Sequence, residues 1–283
     1  MERLLICTDL DRTLISNGVQ PESPNARRRF SELASRPEVK LAYVSGRHRV
    51  LVQQAIDIYN LPLPDYVIGD VGTTIYQVVG PGHWPHISAW EEEIGVDWSG
   101  SSHDDLKSLF ADINDLRPQE ASKQNRFKLS YYVPMHADRR HLMQVMEERL
   151  QRIEVQANMV WSVDEPAGVG LLDLLPPMAS KLHAVEFLMG LLGFDETNTV
   201  FAGDSGNDME VLVSTVPSVL VANSQWDVKE MALRGAYDNG NSDRIYLAEG
   251  GTLGMNGNYA AGILEGVAHY HPHILQESLE ADA

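Results

Sequence analysis

The stretch Leu4-Leu5-Ile6-Cys7-Thr8-Asp9-Leu10-Asp11-Arg12-Thr13-Leu14 decides the fold. An apolar run of strand length ends in two carboxylates one residue apart, followed by Thr13 and the turn-rich Ser16-Asn17-Gly18. Residues i and i+2 of an extended segment point the same way, so Asp9 and Asp11 both face what lies beyond the strand's carboxyl end. In open α/β sheets that edge is where ligands bind. Two like charges so close need a counterion, a metal above all, or else one of them keeps its proton. The plain alternative is two acids in a surface turn; a strand of buried type leading straight into them weighs against it.

Downstream, apolar spacing predicts a helix from Pro24 to about Leu33, a strand at Val39–Val44 ending in Ser45-Gly46-Arg47, and a helix over Arg49–Tyr59. A third strand follows at Tyr66–Asp70, then a small hairpin or flap at Gly72–Tyr76. This alternation implies α/β architecture with a doubly wound parallel sheet. Around Val79-Gly80-Pro81-Gly82 the character changes: Gly and Pro crowd together, and Trp84, Trp90 and Trp98 fall among acids, as in a linker. Helices are expected over His103–Leu116 and Arg139–Ile153, and strands over Arg126–Val133, Val155–Val163 and Val169–Leu175. They form an inserted α+β domain at residues 80–175, leaving a discontinuous core of 1–79 and 176–283. The parallel pattern resumes with a helix at Lys181–Leu192 and a strand at Thr199–Gly203. A helix at Met209–Val213, a strand at Ser218–Val221 and helices near Val228–Arg234 and Tyr259–His269 complete it.

Composition narrows the function. The 283 residues are 43% hydrophobic and 22% charged, as in soluble globular proteins, with a formal net charge of −18. That charge argues against nucleic acid or an anionic membrane as partner, and it means that a phosphate-bearing substrate needs local cationic help. Cys7 is the single cysteine, so no internal disulfide forms. No signal peptide is expected ahead of Asp9, and no apolar run approaches the ~20 residues of a membrane span. The expectation is a cytoplasmic protein.

Four stretches carry chemistry, each at a strand end or helix start on one edge of the sheet. Besides Asp9 and Asp11, Ser45-Gly46 offers a hydroxyl and a glycine amide to an anion, though alone it also reads as an ordinary turn. Lys181 opens a helix, where the dipole disfavours a cation; a solvated surface lysine is the other reading. Gly203-Asp204-Ser205-Gly206-Asn207-Asp208 packs acids, an amide and glycines into one turn, a composition suited to oxygen ligation of Mg²⁺.

Together, in this order and with the long insertion between the second and third, these residues resemble the four motifs of the haloacid dehalogenase superfamily of phosphatases with a type-2 cap. Within it the chain is similar to the sucrose-phosphate phosphatase group. Tyr66–Tyr76, Lys128-Leu129-Ser130-Tyr131, Leu172-Asp173-Leu174-Leu175-Pro176 and Ala261-Gly262-Ile263-Leu264-Glu265 add to the likeness. Arg12 stands where the wider superfamily usually has glycine.

The resemblance implies a Rossmann-like core with an inserted cap, and a Mg²⁺-dependent phosphatase acting on a sugar phosphate. Asp9 would be the nucleophile and Asp11 the general acid and base. The Asp9 carboxylate, the Asp11 carbonyl and Asp204 would hold Mg²⁺. Ser45 and Lys181 would bind the phosphoryl oxygens, with Asn207 and Asp208 orienting Lys181 and the metal's water ligands. Thr13, Gly46, Arg47, Lys128, Ser130 and Tyr131 are the substrate-binding candidates, the last three on a cap strand expected to face the site. The substrate implied is a disaccharide phosphate, sucrose 6-phosphate first, with mannosylfructose phosphate or a mannosylglycerate phosphate as the alternative. A non-catalytic sugar-binding protein on the same fold is the reading of a different class. A monomer is expected, and a sugar-phosphate synthase is the partner to consider. His269, His271 and His273 are set aside as a metal cluster because Pro272 breaks the face they would share. The tryptophans are assigned to packing rather than sugar stacking.

Overall fold

The computed structural model describes residues 3–164 and 167–274. Its elements, in chain order, begin with β1 (Leu4–Thr8), α1 (Ala26–Ala34), β2 (Val39–Val44), α2 (Arg49–Tyr59), β3 (Tyr66–Gly69) and β4 (Thr74–Gln77). Then come α3 (Ser88–Gly95), α4 (His103–Leu109), β5 (Arg117–Pro118), β6 (Leu129–Pro134), α5 (Arg139–Arg152), β7 (Asn158–Asp164) and β8 (Val169–Leu175). The chain ends with α6 (Lys181–Leu192), β9 (Thr199–Gly203), α7 (Met209–Leu212), β10 (Ser218–Leu220), α8 (Trp226–Asp238), β11 (Ile245–Leu247) and α9 (Ala260–Tyr270).

Two compact units result. One runs up to His86 and resumes at Lys181; the other is Ile87–Ser180. These limits fall a few residues beyond the expected 80 and 175. Gly80 bridges His83 in a tight turn, Tyr76 bridges His86, and Gln77 N donates to Pro85 O at 3.0 Å, so the supposed linker is the returning edge of a hairpin.

The first unit holds a seven-stranded sheet in the order β11-β10-β9-β1-β2-β3-β4, parallel except for β4. The chain starts in the middle at β1, moves outward through β2 and β3, then re-enters on the other flank at β9. The order therefore reverses between β1 and β9, the topological switch point of such sheets. Leu4 and Ile6 join one apolar cluster with side chains of α1, α2 and α9, while Leu5 and Cys7 point the opposite way and are equally buried. A central parallel strand is covered on both faces, so β1 is apolar without alternation. Burial pushes the Cys7 thiol up to about 12. On α9, a side chain at Gly266 would meet Val219 Cβ at 2.5 Å, so glycine lets this helix lie against β10.

The second unit is a four-stranded antiparallel sheet, β5-β6-β8-β7, with three α-helices, matching the α+β class expected for this segment. The tryptophan-rich stretch is helical where a linker was expected: Trp90 and Ile94 of α3 are fully buried, one turn apart. Trp98 is also buried, edge-on to Phe127. Helix α4 stops at Leu109 rather than Leu116. Asp112, Asn114 and Asp115 favour turns over helix interior, and the chain must straighten so that Arg117 and Pro118 can pair with β6.

Candidate active site

The strands of the first unit's switch point deliver the site. Asp9 follows β1 and its N–H donates to Ala202 O of β9 at 2.9 Å, which fixes its side chain at the β1–β9 seam. Beyond β9, Gly203 leads into the Asp204–Asp208 turn. A Cβ at Gly203 would sit 2.7 Å from Asp208 Oδ2, so only glycine lets the Asp208 carboxylate fold back over the strand end. There Asp208 Oδ2 accepts from the N–H groups of Asp204 and Ser205 at 3.2 and 3.3 Å.

Lys181, the first residue of α6, is buried and donates to Asp9 Oδ1 at 2.9 Å, Asp208 Oδ1 at 2.6 Å and Asn207 Oδ1 at 3.2 Å. Its position against the helix dipole is thus met by two carboxylates. Burial alone would pull the ammonium down, but Asp9 and Asp208 outweigh it, and Lys181 remains a cation above the ordinary lysine value. Burial pushes Asp9 up to about 7; the Lys181 charge opposes this and Asp208 adds to it. Asp204 is likewise raised to about 6, by burial first and by Asp208 next, with Arg12 pulling it down.

Asp9, Asp204 and Asp208 each offer a carboxylate oxygen within 4.8 Å of the others. Three carboxylates against the Lys181 ammonium and the Arg12 guanidinium leave one negative charge in excess. Clustered hard oxygen donors with that excess fit a divalent cation such as Mg²⁺. Asp208, expected to orient other groups, stands inside this carboxylate cluster as well as holding Lys181.

Asp11 lines the same cavity as Asp9 but is held by other partners. Arg47 grips its carboxylate with Nε and Nη2, both at 2.6 Å, and Asn17 Nδ2 donates to it at 2.7 Å. Burial pushes Asp11 up, but the Arg47 hydrogen bonds and charge outweigh that and hold it below the usual carboxylate range. Ser45 is buried after β2, and its Oγ accepts from Arg47 N at 3.2 Å. Thr13 Oγ1 donates to Asp204 Oδ1 at 3.4 Å. A cavity of about 390 Å³ is lined by Asp9, Asp11, Arg12, Ser45, Gly46, Arg47 and the Asp204 turn.

Arg12 takes a left-handed backbone, φ 61°, the region that favours glycine. Two asparagines hold it there: Asn17 Oδ1 accepts from Arg12 N at 2.8 Å, and Asn223 Nδ2 donates to Arg12 O at 2.6 Å. Neither asparagine was among the expected site residues. Asn223 follows β10 at the same sheet edge, so the polar residues after each parallel strand were the signal that could have found it.

Lys128, Ser130 and Tyr131 lie in the second unit. Ser130 pairs with Asp173 across β6 and β8, its hydroxyl donates to the Asp173 carboxylate, and Lys128 Nζ stands 3.9 Å from that carboxylate. Tyr131 points to the opposite face with Leu129 and Val133, and its hydroxyl is buried without a hydrogen-bond partner. The three candidates therefore divide between two faces of the sheet.

Comparison with known proteins places the chain in a family. A model of the sucrose-6F-phosphate phosphohydrolase family matches residues 2–271. A HAD-like hydrolase of Nitrosococcus oceani is 54% identical over 271 residues, covering 96% of this chain and 72% of that protein. The mannosylfructose-phosphate phosphatase of Agrobacterium fabrum is 26% identical, covering 94% of this chain and 96% of its own length. The crystal structure of the sucrose-phosphatase of Synechocystis sp. PCC6803, in complex with sucrose and phosphate, is similar with a TM-score of 0.68 at 26% identity. It covers 95% of this chain and 98% of that one. This chain spans about 60% of the length of the plant sucrose-phosphatases that it also matches. With its carboxylates, serine and lysine gathered at the switch point of a parallel sheet and a family model matched along almost its whole length, the chain belongs to the sucrose-6F-phosphate phosphohydrolase family, phosphatases of the haloacid dehalogenase fold.

Proposed function

We propose that this protein is a Mg²⁺-dependent phosphatase that hydrolyses a disaccharide phosphate, sucrose 6-phosphate, to the free sugar and phosphate. The observation that carries the reading is Lys181 bridging Asp9 and Asp208, with Asp204 alongside. A carboxylate held beside a fixed cation, in a cluster that needs a divalent counterion, is a nucleophile arranged for an anionic substrate.

The reaction divides between two carboxylates. Asp9 attacks phosphorus, the bond to the sugar oxygen breaks, and the electron pair leaves on that oxygen, which takes a proton from Asp11. Water then attacks the aspartyl-phosphate, Asp11 accepts its proton, and phosphate departs. The Arg47 grip keeps Asp11 in its base form, the form the second half needs. Donation in the first half requires Asp11 to be protonated and to leave Arg47. Ser45 and Lys181 hold phosphoryl oxygens as charge develops on them. Asp9 and Asp204, with the Asp11 carbonyl and with Asp208 close by, would hold Mg²⁺, whose positive charge would let an anionic nucleophile meet an anionic phosphate.

We assign sugar recognition to the second unit, with Lys128, Ser130 and Asp173 as its polar group. The expected setting is a monomer in the cytoplasm; no helix among the described residues is long and apolar enough to cross a membrane. Phosphate release from a panel of sugar phosphates, with Mg²⁺ and with a chelator, tests the reading. Sucrose 6-phosphate should turn over fastest and only with metal; metal-independent release would remove Mg²⁺ from the account. Mannosylfructose phosphate is the second reading, because the Agrobacterium phosphatase for that ester matches this chain almost end to end in both directions.

A further inference from the structure

We propose that Arg12 is a substrate-binding residue whose guanidinium takes the phosphate oxygens in the cavity beside Asp204. The proposal rests on the phosphatase reading and adds a contact to it. Three cations stand around this site, and two have their donors engaged. The Lys181 ammonium has three donors, matched by Asp9, Asn207 and Asp208. Arg47 commits Nε and Nη2 to Asp11 and turns Nη1 to Leu51 O at 3.4 Å. Arg12 differs. Its Nε is buried without a hydrogen-bond partner and stands 3.5 Å from Asp204 Oδ2, an ion-pair approach only, while the side chain keeps 37% of its surface open.

The backbone makes the same point. Glycine would hold the left-handed turn at Arg12 without strain, whereas an arginine there is strained. Asn17 and Asn223 bind only its main chain, so the hydrogen bonds that fix the turn would serve glycine equally. What arginine adds is a planar donor fork over a cavity that holds Asp9, Ser45 and Asp204. In a chain of net charge −18, a phosphate monoester entering a carboxylate cluster meets repulsion that these open donors offset.

The test uses the full chain and three readouts: calorimetric titration with inorganic phosphate in the presence of Mg²⁺, titration with Mg²⁺ alone, and steady-state kinetics on sucrose 6-phosphate. Arg12→Gly should weaken phosphate binding and raise KM by about ten- to hundredfold, the loss of charge-assisted hydrogen bonds. It should leave kcat within about threefold and the melting temperature no lower than wild type. Arg12→Lys should recover part of the affinity. Unchanged phosphate affinity and KM in Arg12→Gly, with only Mg²⁺ affinity altered, would confine Arg12 to Asp204 and overturn the proposal. A wild-type protein that itself binds no phosphate would overturn the phosphatase reading together with it, a result visible before any variant is made.

Discussion

Each unit of this molecule sets a lysine against an aspartate, and the two pairs are built in different ways. In the first unit Lys181 reaches Asp9 and Asp208, 172 and 27 residues away, because three segments end at the same sheet edge. In the second, Asp173 meets Ser130 directly across β6 and β8, with Lys128 nearby, so strand register alone brings them together. The first cluster has surplus negative charge; the second balances Lys128 and Lys123 against Asp173 and Glu120. A cluster with surplus charge is completed by a ligand, while a balanced one is already satisfied. The first should therefore respond to metal, pH and loss of its lysine far more than the second responds to loss of its aspartate.

The largest expected effect is on turnover. Asp9→Asn should lower kcat by on the order of 10⁴-fold while folding normally, since it removes one of the mutually repelling carboxylates. Wild-type turnover would exclude Asp9 as nucleophile. Next, Lys181→Met leaves buried Asp9 and Asp208 without their cation and should cost about 3–5 kcal/mol in denaturant unfolding at pH 7. An unchanged midpoint would mean that the carboxylates had no need of it.

The third effect is linkage. Burial raises Asp9 and Asp204, so the folded chain binds protons there more tightly than the unfolded chain does. Their contribution to stability is present near the unfolded carboxyl range and is lost as pH rises through about 6 and 7. Mg²⁺ competes for the same oxygens. At roughly 100-fold its dissociation constant it should raise the melting temperature by about 5 °C at pH 8 and by less at pH 5. A Mg²⁺ shift equal at both pH values would break the link between metal and these carboxylates. The smallest effect is in the second unit. Asp173→Asn should raise KM about fivefold, the worth of about 1 kcal/mol of hydrogen bonding, with little change in kcat. No change in KM would leave that cluster a structural pair.

Much of the core was legible because a buried parallel strand writes itself as an uninterrupted apolar run, and its last residue marks the ligand edge. The strand at Val39–Val44, the helix at Lys181–Leu192 and the strand at Thr199–Gly203 coincide with β2, α6 and β9. The three-residue β11 was missed, since Ile245-Tyr246-Leu247 is too short to show a period. Helix α3 was hidden for another reason: glycine, proline and acids around Trp84 and Trp90 look like a linker, and only burial of Trp90 shows an apolar face. At the site, residue types announced Asp9, Lys181 and Asp204. The pairing of Asp11 with Arg47 and the left-handed turn at Arg12 depend on tertiary neighbours that no local pattern encodes.

Cys7 gives the molecule a built-in clock. Its thiol sits in β1 two residues before Asp9, reached by no solvent, and burial holds it in the unreactive protonated form. A small alkylating reagent can capture it only when the layer covering that face of the sheet opens, so the labelling rate of the unmodified protein counts openings of the packing over β1. A site that depends on three segments keeping their places can thus be followed, molecule by molecule, through one sulfur atom.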